Sequence, residues 1–205
     1  RPNRETAYVN LELNVKSFKA WLKNYYTYKN RSPKMIGAHY ILAAVNQVVC
    51  NNIVNGVSEK FKKNKTGMID IEFDSLYNYI NTTPYLRDTY MRLLDKFDMN
   101  TQYSNNMPTQ VEKINEYIEK FVLHGNENLK MNKITSNLLY YILLQTNVLL
   151  ADTAYYCAEY AGRTISSNAV VAAVKIHFSG KLLEDILRKT DDIITRLKNT
   201  TAKDQ

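Results

Sequence analysis

Histidine and cysteine are the residues best suited to acid–base, nucleophilic or metal chemistry, and this sequence holds few of them. His39, His124 and His177 are far apart in the chain and lack the short spacing of metal ligands, which favours structural roles. Cys50 and Cys157 each lie in an apolar helical run, so we expect buried free thiols, no disulfide and a reducing compartment. We find no pattern of nucleophile, base and orienting group, no paired acids and no phosphate-cradling glycine loop. The sequence therefore predicts a protein that is not an enzyme and that needs neither a metal nor another cofactor.

The remaining chemistry of the chain is that of cations. Lysine and arginine number 27 against 20 acidic residues, which gives a net charge of +7 at pH 7. Residues 1–105 hold 15 basic and 9 acidic residues, so most of the excess lies in the first half. An excess of this size favours nucleic acid or another anionic surface as a partner. No uninterrupted apolar run approaches the ~18 residues of a membrane span, so we expect no membrane association.

Helices must position these cations, because apolar residues recur at three- and four-residue spacing almost throughout and little strand alternation is found. The predicted order is a short helix, a loop, a long helix, a loop and a short helix, and this order occurs twice. Each half then adds one further helix. The predicted helices cover 13–26, 38–61, 73–80 and 84–97 in the first half, and 111–123, 135–161, 167–177 and 181–198 in the second.

The ends of the second-half helices carry capping residues. Thr135 or Ser136 is predicted to cap the second long helix, and Ser166 or Ser167 the short helix that follows it. Residues 99–109, rich in Asn, Thr and Ser, form the only convincing linker. The predicted organisation is therefore one domain over 1–98, the linker, and a second domain over 110–205.

The two long helices are apolar on most of their circumference, so each needs a partner of the same kind. We expect them to pack against each other within one chain. Tyrosine-rich segments such as YYCAEY are expected in the core and in interfaces rather than as stacking platforms for bases. The predicted core consists of Leu42, Val45, Val49, Ile142, Leu149 and Tyr156.

The repeated unit resembles the histone fold. TISSNAVVAAVKIHFSGKLL is similar to the second loop, third helix and start of the C-terminal helix of histone 2B, with Thr164, Ile165, Ser167, Ala173, Val174, Gly180 and Leu182 in the family's pattern. In the first half, LNVKSFKAWLKNYY resembles the first helix of histone 2A, GAHYILAAV the start of its long helix, and KKNKTGMI its second loop. The resemblance implies an all-α chain of two tandem histone folds that form an intramolecular head-to-tail pseudo-dimer.

Such a pair places the first loop of each fold beside the second loop of the other, and the two first helices in the middle. The resemblance implies that these three basic regions bind and bend duplex DNA through its phosphates, as in nucleosomal wrapping. The implied DNA-binding residues are Lys16, Lys19, Lys23, Arg31, Lys34, Lys62, Lys63, Lys65, Thr66, Lys113, Lys130, Lys133, Arg163 and Thr164.

The sequence departs from the family at several positions. Gln47, Asn52 and Asn55 stand where histone 2A carries the glutamates of an acidic docking surface, and Gly67 stands where the family has an arginine in the second loop. Two histones in one chain with much Asn and Tyr resemble the fused doublets of large DNA viruses, although the better-known doublet has the 2B-like half first. The implied location is a virion or viral factory for a viral protein, and the nucleus otherwise.

The implied partners are double-stranded DNA and histones of the 3 and 4 type, supplied by a second doublet or by separate chains. Tyr160, His177 and Phe178 form the predicted docking surface for that histone pair. Two other readings stay open: a histone-fold transcription-factor module, and an all-helical interaction protein whose basic charge is incidental. Sequence-specific histone-fold modules of the CCAAT-binding kind need an extra segment that inserts into the minor groove, and none is found here.

Overall fold

The computed structural model describes residues 4–61, 69–124, 129–160 and 164–201. Over these residues the chain is mostly helical and its strands are three residues long, which confirms the all-α class. The helices are α1 (Arg4–Tyr8), α2 (Val15–Tyr28), α3 (Ala38–Phe61), α4 (Phe73–Thr82), α5 (Pro84–Leu94), α6 (Val111–Tyr117), α7 (Lys133–Tyr160), α8 (Ser167–His177) and α9 (Gly180–Thr201). The strands are β1 (Lys34–Ile36), β2 (Ile69–Ile71), β3 (Leu129–Met131) and β4 (Thr164–Ser166).

Most helices lie where the apolar spacing predicts them, and the predicted helix 111–123 is α6 followed by a π-helical turn over Ile118–Val122. α7 begins two residues before the predicted start, because Asn132 caps it: its Oδ1 accepts from the backbone N–H and from the hydroxyl of Thr135, at 2.9 and 2.7 Å. The prediction of Thr135 or Ser136 as the cap is therefore wrong. Of the two residues predicted to cap α8, Ser166 is the cap, since its hydroxyl oxygen accepts from the backbone N–H of Ala169 at 3.2 Å. The short helix α1 was not predicted.

The chain forms two compact units, and each unit combines residues from both halves of the sequence. Unit 1 consists of Arg1–Val48 and Thr146–Gln205, and unit 2 of Val49–Gln145. Both α3 and α7 contribute residues to each unit. The division by sequence repeat, with domains over 1–98 and 110–205, stays a prediction.

Unit 1 is held together by a short parallel strand pair and by buried helix faces. β1 pairs with β4, with Lys34 opposite Thr164 and Ile36 opposite Ser166. α2 buries Val15, Phe18, Leu22 and Tyr26 at three- and four-residue spacing. The segment before α2 is tied to α3, because Gln47 Oε1 accepts from the backbone N–H groups of Glu12 and Leu13 at 2.6 and 2.8 Å. Gln47 is therefore a buried structural residue.

Unit 2 contains the matching strand pair and a cluster of aromatic rings. β2 pairs in parallel with β3, with Asp70 opposite Lys130. Residues 99–109, expected to be a linker, pack against this unit: Tyr103 is buried and its ring centroid lies 4.6 Å from that of Tyr141. The backbone N–H of Tyr103 also donates to Asn137 Oδ1 at 3.0 Å. This segment therefore contributes to the core of unit 2.

Four of the six predicted core residues are buried and two are not. Leu42, Val45, Val49 and Ile142 are buried as predicted. Leu149 is half-buried and Tyr156 is 54% exposed, so their assignment to the core is wrong. The face of α7 that is buried in this stretch instead carries Leu150 and three alanines, Ala151, Ala154 and Ala158, whose small side chains allow close approach of neighbouring elements.

The stretch Lys133–Glu159 of α7 is long and apolar enough to span a membrane by length and composition alone, contrary to the expectation from uninterrupted apolar runs. In its most apolar window, 67% of the residues are buried inside the protein. This degree of burial is the pattern of a core helix.

Candidate nucleic-acid interface

Each unit brings a loop of the first half of the sequence beside a loop of the second half. In unit 1 the loop before α3 lies beside the loop before α8, through β1 and β4; in unit 2 the loop before α4 lies beside the loop before α7, through β2 and β3. This is the loop pairing that the resemblance implies, and it is confirmed in both places. Because the paired strands are parallel and lead directly into helices, two helix N-termini lie side by side at each pair. Helix N-termini with nearby cations are suited to phosphate groups.

Among the described residues of the loop pair of unit 1, Lys29 and Lys34 are exposed cations. Lys34 is exposed on β1, and its register partner Thr164 on β4 is half-buried. The turn between β1 and α3 depends on Gly37, whose φ is +76°. A Cβ at this position would overlap the hydroxyl oxygen of Ser167. The close approach of the two loops therefore requires glycine here.

Arg31, the other predicted cation of this loop, is largely engaged inside unit 1. Its guanidinium lies 4.1 Å from the ring centroid of Tyr155 and 3.5 Å from the carboxylate of Asp152, and its side chain is 21% exposed. Asp152 also accepts a hydrogen bond from the Tyr25 hydroxyl at 2.9 Å. Burial, together with this bond, raises the pKa of Tyr25 well above its usual range. Arg31 therefore has a clear packing role, and its contact with phosphate stays a prediction.

The lysines of α2 form a separate basic row. Lys16, Lys19 and Lys23 are all exposed, and their spacing places them along one side of the helix. α2 contains no acidic residue. Asn14 begins the helix, because its Oδ1 accepts from the backbone N–H of Lys16 at 3.0 Å. The row therefore stands on a regular helix whose opposite side is buried.

In unit 2 two of the predicted DNA-binding lysines, Lys113 and Lys130, lie close to acidic groups. Lys130 and Lys133 are exposed at the start of α7, but the register partner of Lys130 is the exposed Asp70. On α6, Lys113 lies 3.5 Å from the carboxylate of Glu116, which also accepts from Lys120 at 2.7 Å. Exposed pairs of this kind contribute little to stability, so the lysines can exchange them for phosphates.

Five of the predicted DNA-binding residues lie outside the residues that the structure describes. Four of them belong to the loop between α3 and β2, which was expected to supply most of the positive charge at the loop pair of unit 2. The five residues are Lys62, Lys63, Lys65, Thr66 and Arg163.

The predicted docking surface at the end of α8 is wrong in one part. Phe178 is only 4% exposed, because it belongs to the core of unit 1. His177 is half-buried, and its Nε2 lies 2.6 Å from the hydroxyl of Thr153. Burial lowers the pKa of His177, so the ring favours its neutral form. The side chain of Tyr160 lies outside the described part.

Sequence reasoning missed the residues that surround Arg31. Asp152, Tyr155 and Tyr156 follow one another within two turns of α7, in a segment that was expected in the core. Only the helical phase of α7 decides which of these side chains turn outward, and no pattern in the sequence defines that phase.

Comparison of the chain with protein-family models, with curated proteins and with solved structures gave no match.

Proposed function

We propose that this protein is a DNA-packaging histone doublet. In this proposal a histone 2A-like fold and a histone 2B-like fold in one chain pair head to tail, and the chain binds and bends duplex DNA through the phosphate backbone as part of a nucleosome-like particle. Its partners are duplex DNA and a histone pair of the 3 and 4 type.

One observation carries the proposal: β1 pairs with β4 and β2 pairs with β3, each in parallel register. Two tandem copies of a helix–loop–helix–loop–helix unit give this crossed pairing when the first loop of each copy meets the second loop of the other. The same arrangement explains why each compact unit draws on both halves of the sequence.

The surface chemistry supports contact with backbone rather than with bases. The lysine row of α2, Lys34 on β1, and Lys130 and Lys133 near β3 are exposed cations on regular elements or at helix N-termini. Such groups neutralise phosphates and fix the position of the duplex without reading its sequence. Binding is therefore expected to be independent of sequence and strongly dependent on salt.

The test is a mobility-shift titration of the full chain with several unrelated duplexes at two or more salt concentrations. Replacing Lys34, Lys130 and Lys133 together by Ala should weaken binding to all duplexes alike and lower the salt slope by about 0.9 for each phosphate that is no longer neutralised. The control replaces three exposed lysines outside the loop pairs, with the same reduction in charge. These are Lys96, Lys175 and Lys181.

A second variant set addresses the loop between α3 and β2, whose lysines lie outside the described residues. Replacing Lys62, Lys63 and Lys65 should reduce binding in the same way. When these changes are combined with the changes at Lys130 and Lys133, the loss of affinity should be smaller than the sum of the separate losses if both loops hold one phosphate stretch.

Equal losses of affinity in the control set would contradict the assignment of the loops. Affinity that varies with DNA sequence but hardly with salt would favour the transcription-factor module, and no duplex binding would favour the interaction protein.

A further inference from the structure

The side of α2 remote from the lysine row carries aromatic rings that the duplex proposal does not use. Trp21 and Tyr25 stack with ring centroids 5.1 Å apart and planes 7° apart. Tyr28, one turn further on, is 81% exposed. At about 100° per residue, these three positions lie on one flank of the buried stripe of α2, and Lys16, Lys19 and Lys23 lie on the other.

The rings continue from α2 onto α7 within unit 1. Tyr25 meets Tyr26 at 6.0 Å between centroids, and Tyr26 in turn meets Tyr155 at 6.0 Å. Beside Tyr155 is Tyr156, which is 54% exposed. Tyr26 is buried, so this series of rings passes through the core. Outside the core, the Tyr25 hydroxyl and Arg31 share the carboxylate of Asp152, and Arg31 donates to the Tyr156 hydroxyl at 3.4 Å. These contacts place Tyr25 and Tyr156 on one surface, and we call Trp21, Tyr25, Tyr28 and Tyr156 the aromatic strip.

Cations lie over the rings of this surface. The ammonium of Lys29 is 5.8 Å from the centroid of Tyr25, and the guanidinium of Arg31 is 5.4 Å from that of Tyr156. The carboxylate of Asp152 is already bound by the Tyr25 hydroxyl and by Arg31. Aromatic rings that alternate with cations are suited to a ligand that combines planar bases with a phosphate backbone.

We propose that the aromatic strip binds single-stranded nucleic acid by stacking two or three unpaired bases on its rings. Tyr28 and Tyr156 supply exposed faces for bases, and Lys29 supplies charge for the adjacent phosphates. A single strand is the favoured occupant because its bases are free to stack, whereas a duplex offers only its grooves and backbone. The rings run from position 21 to 28 of α2, about 10 Å at the usual helical rise, which is the length of two to three stacked bases.

The proposal does not rest on the packaging function, because the rings and the lysine row lie on different flanks of α2. Each surface can therefore be altered alone. A result that contradicts the packaging function does not affect the proposal for the aromatic strip, and the reverse is also true, because different variants test the two.

Trp21 gives the experiment a direct signal, because it is the only tryptophan of the chain. Titration of the full chain with an oligothymidylate of about 12 nucleotides should quench Trp21 fluorescence, since a base stacked on the excited indole quenches it by electron transfer. An equal-length duplex should bind without comparable quenching. Affinity is measured in parallel by the anisotropy of a labelled oligonucleotide.

The decisive variants compare loss of the ring with loss of the hydroxyl. Tyr28→Ala combined with Tyr156→Ala should weaken oligothymidylate binding by about tenfold per ring and reduce the quenching. Tyr28→Phe combined with Tyr156→Phe should bind like the natural chain, because the stacking faces remain. Both positions are exposed, so the fold should tolerate these changes, and circular dichroism checks this.

Three outcomes would overturn the proposal. The first is equal binding by the Ala and Phe pairs. The second is binding of the single strand without quenching of Trp21, as expected if only the lysine row is used. The third is no single-strand binding while the Ala pair impairs association with another protein, which would make the strip a protein-docking surface.

Discussion

Leu149 and Leu150 are neighbours on α7 in different surroundings. Leu150 is 0% exposed and Leu149 is half-buried. Leu150→Ala should lower the free energy of unfolding by about 2–5 kcal/mol, because it leaves a cavity in a packed core. Leu149→Ala should cost about 1 kcal/mol, since part of its side chain already meets water. Urea unfolding of both variants gives the comparison, and equal costs would contradict the assigned phase of α7.

His39 makes stability depend on pH. Burial, with a smaller effect of Lys19, lowers the pKa of His39 to about 4, whereas an unfolded histidine has a pKa of about 6.5. The unfolded chain therefore binds the proton more tightly. The free energy of unfolding therefore has its full value, as far as His39 is concerned, above about pH 6.5. It falls progressively as the pH falls from there towards 4, by an amount on the order of 2–3 kcal/mol.

His39→Gln should remove this part of the pH dependence. Unfolding free energies measured by urea between pH 4 and 7 should fall less steeply in the variant than in the natural chain. A smaller slope should persist, because the pKa of His177 is lowered by burial in the same direction. Adding His177→Gln should flatten the profile further. An unchanged slope in the His39 variant would show that this ring does not titrate on unfolding.

At the scale of the element, α3 and α7 are joined in unit 1 by a buried pair of amides. Asn46 Nδ2 donates to Asn147 Oδ1 at 2.6 Å, and Asn147 Nδ2 donates to Asn46 Oδ1 at 3.3 Å. Both side chains are almost completely buried. A reciprocal bond of this kind is satisfied in one register of the two helices, so any slip would leave buried polar groups without partners.

A double-mutant cycle tests this pair. Asn46→Ala or Asn147→Ala alone should cost about 1–3 kcal/mol, because each leaves the other amide buried and without its partner. The double variant should cost less than the sum of the two, since neither amide then remains. Additive costs, measured by chemical unfolding, would mean that the two side chains act independently.

At the scale of the whole molecule, each compact unit requires chain from both halves of the sequence. Unit 1 joins Arg1–Val48 with Thr146–Gln205, so neither half of the sequence contains a complete unit. Fragments 1–105 and 106–205 should therefore each be largely unfolded alone and should become helical when mixed. Circular dichroism of the fragments, separately and together, gives the measurement. A stable, cooperatively unfolding structure in either fragment alone would show that the sequence repeats fold independently.

Local patterns in the sequence determined the helices and the basic character of this protein. Apolar spacing predicted α3 over 38–61 and α8 over 167–177, because helical periodicity depends on neighbouring residues only. The sequence offered Ser166 or Ser167 as the cap of α8, and the structure selects Ser166. The crossed loop pairing was expected from the resemblance to the histone fold and not from a local pattern. The exposure of Lys34 and of the lysine row follows from a local rule, since charged residues on the polar side of a helix or short strand stay in water.

Only the tertiary structure decided which sides of the long helices face the core. α3 and α7 are apolar on most sides, so periodicity does not distinguish Leu149 from Leu150 or place Tyr156 outside. Packing decides this, because a line of alanines on α7 allows close approach where tyrosines would not fit. The position of Arg31 over Tyr155 and the burial of Tyr103 likewise depend on residues distant in sequence. These contacts form only when separated segments meet, and no local pattern contains them.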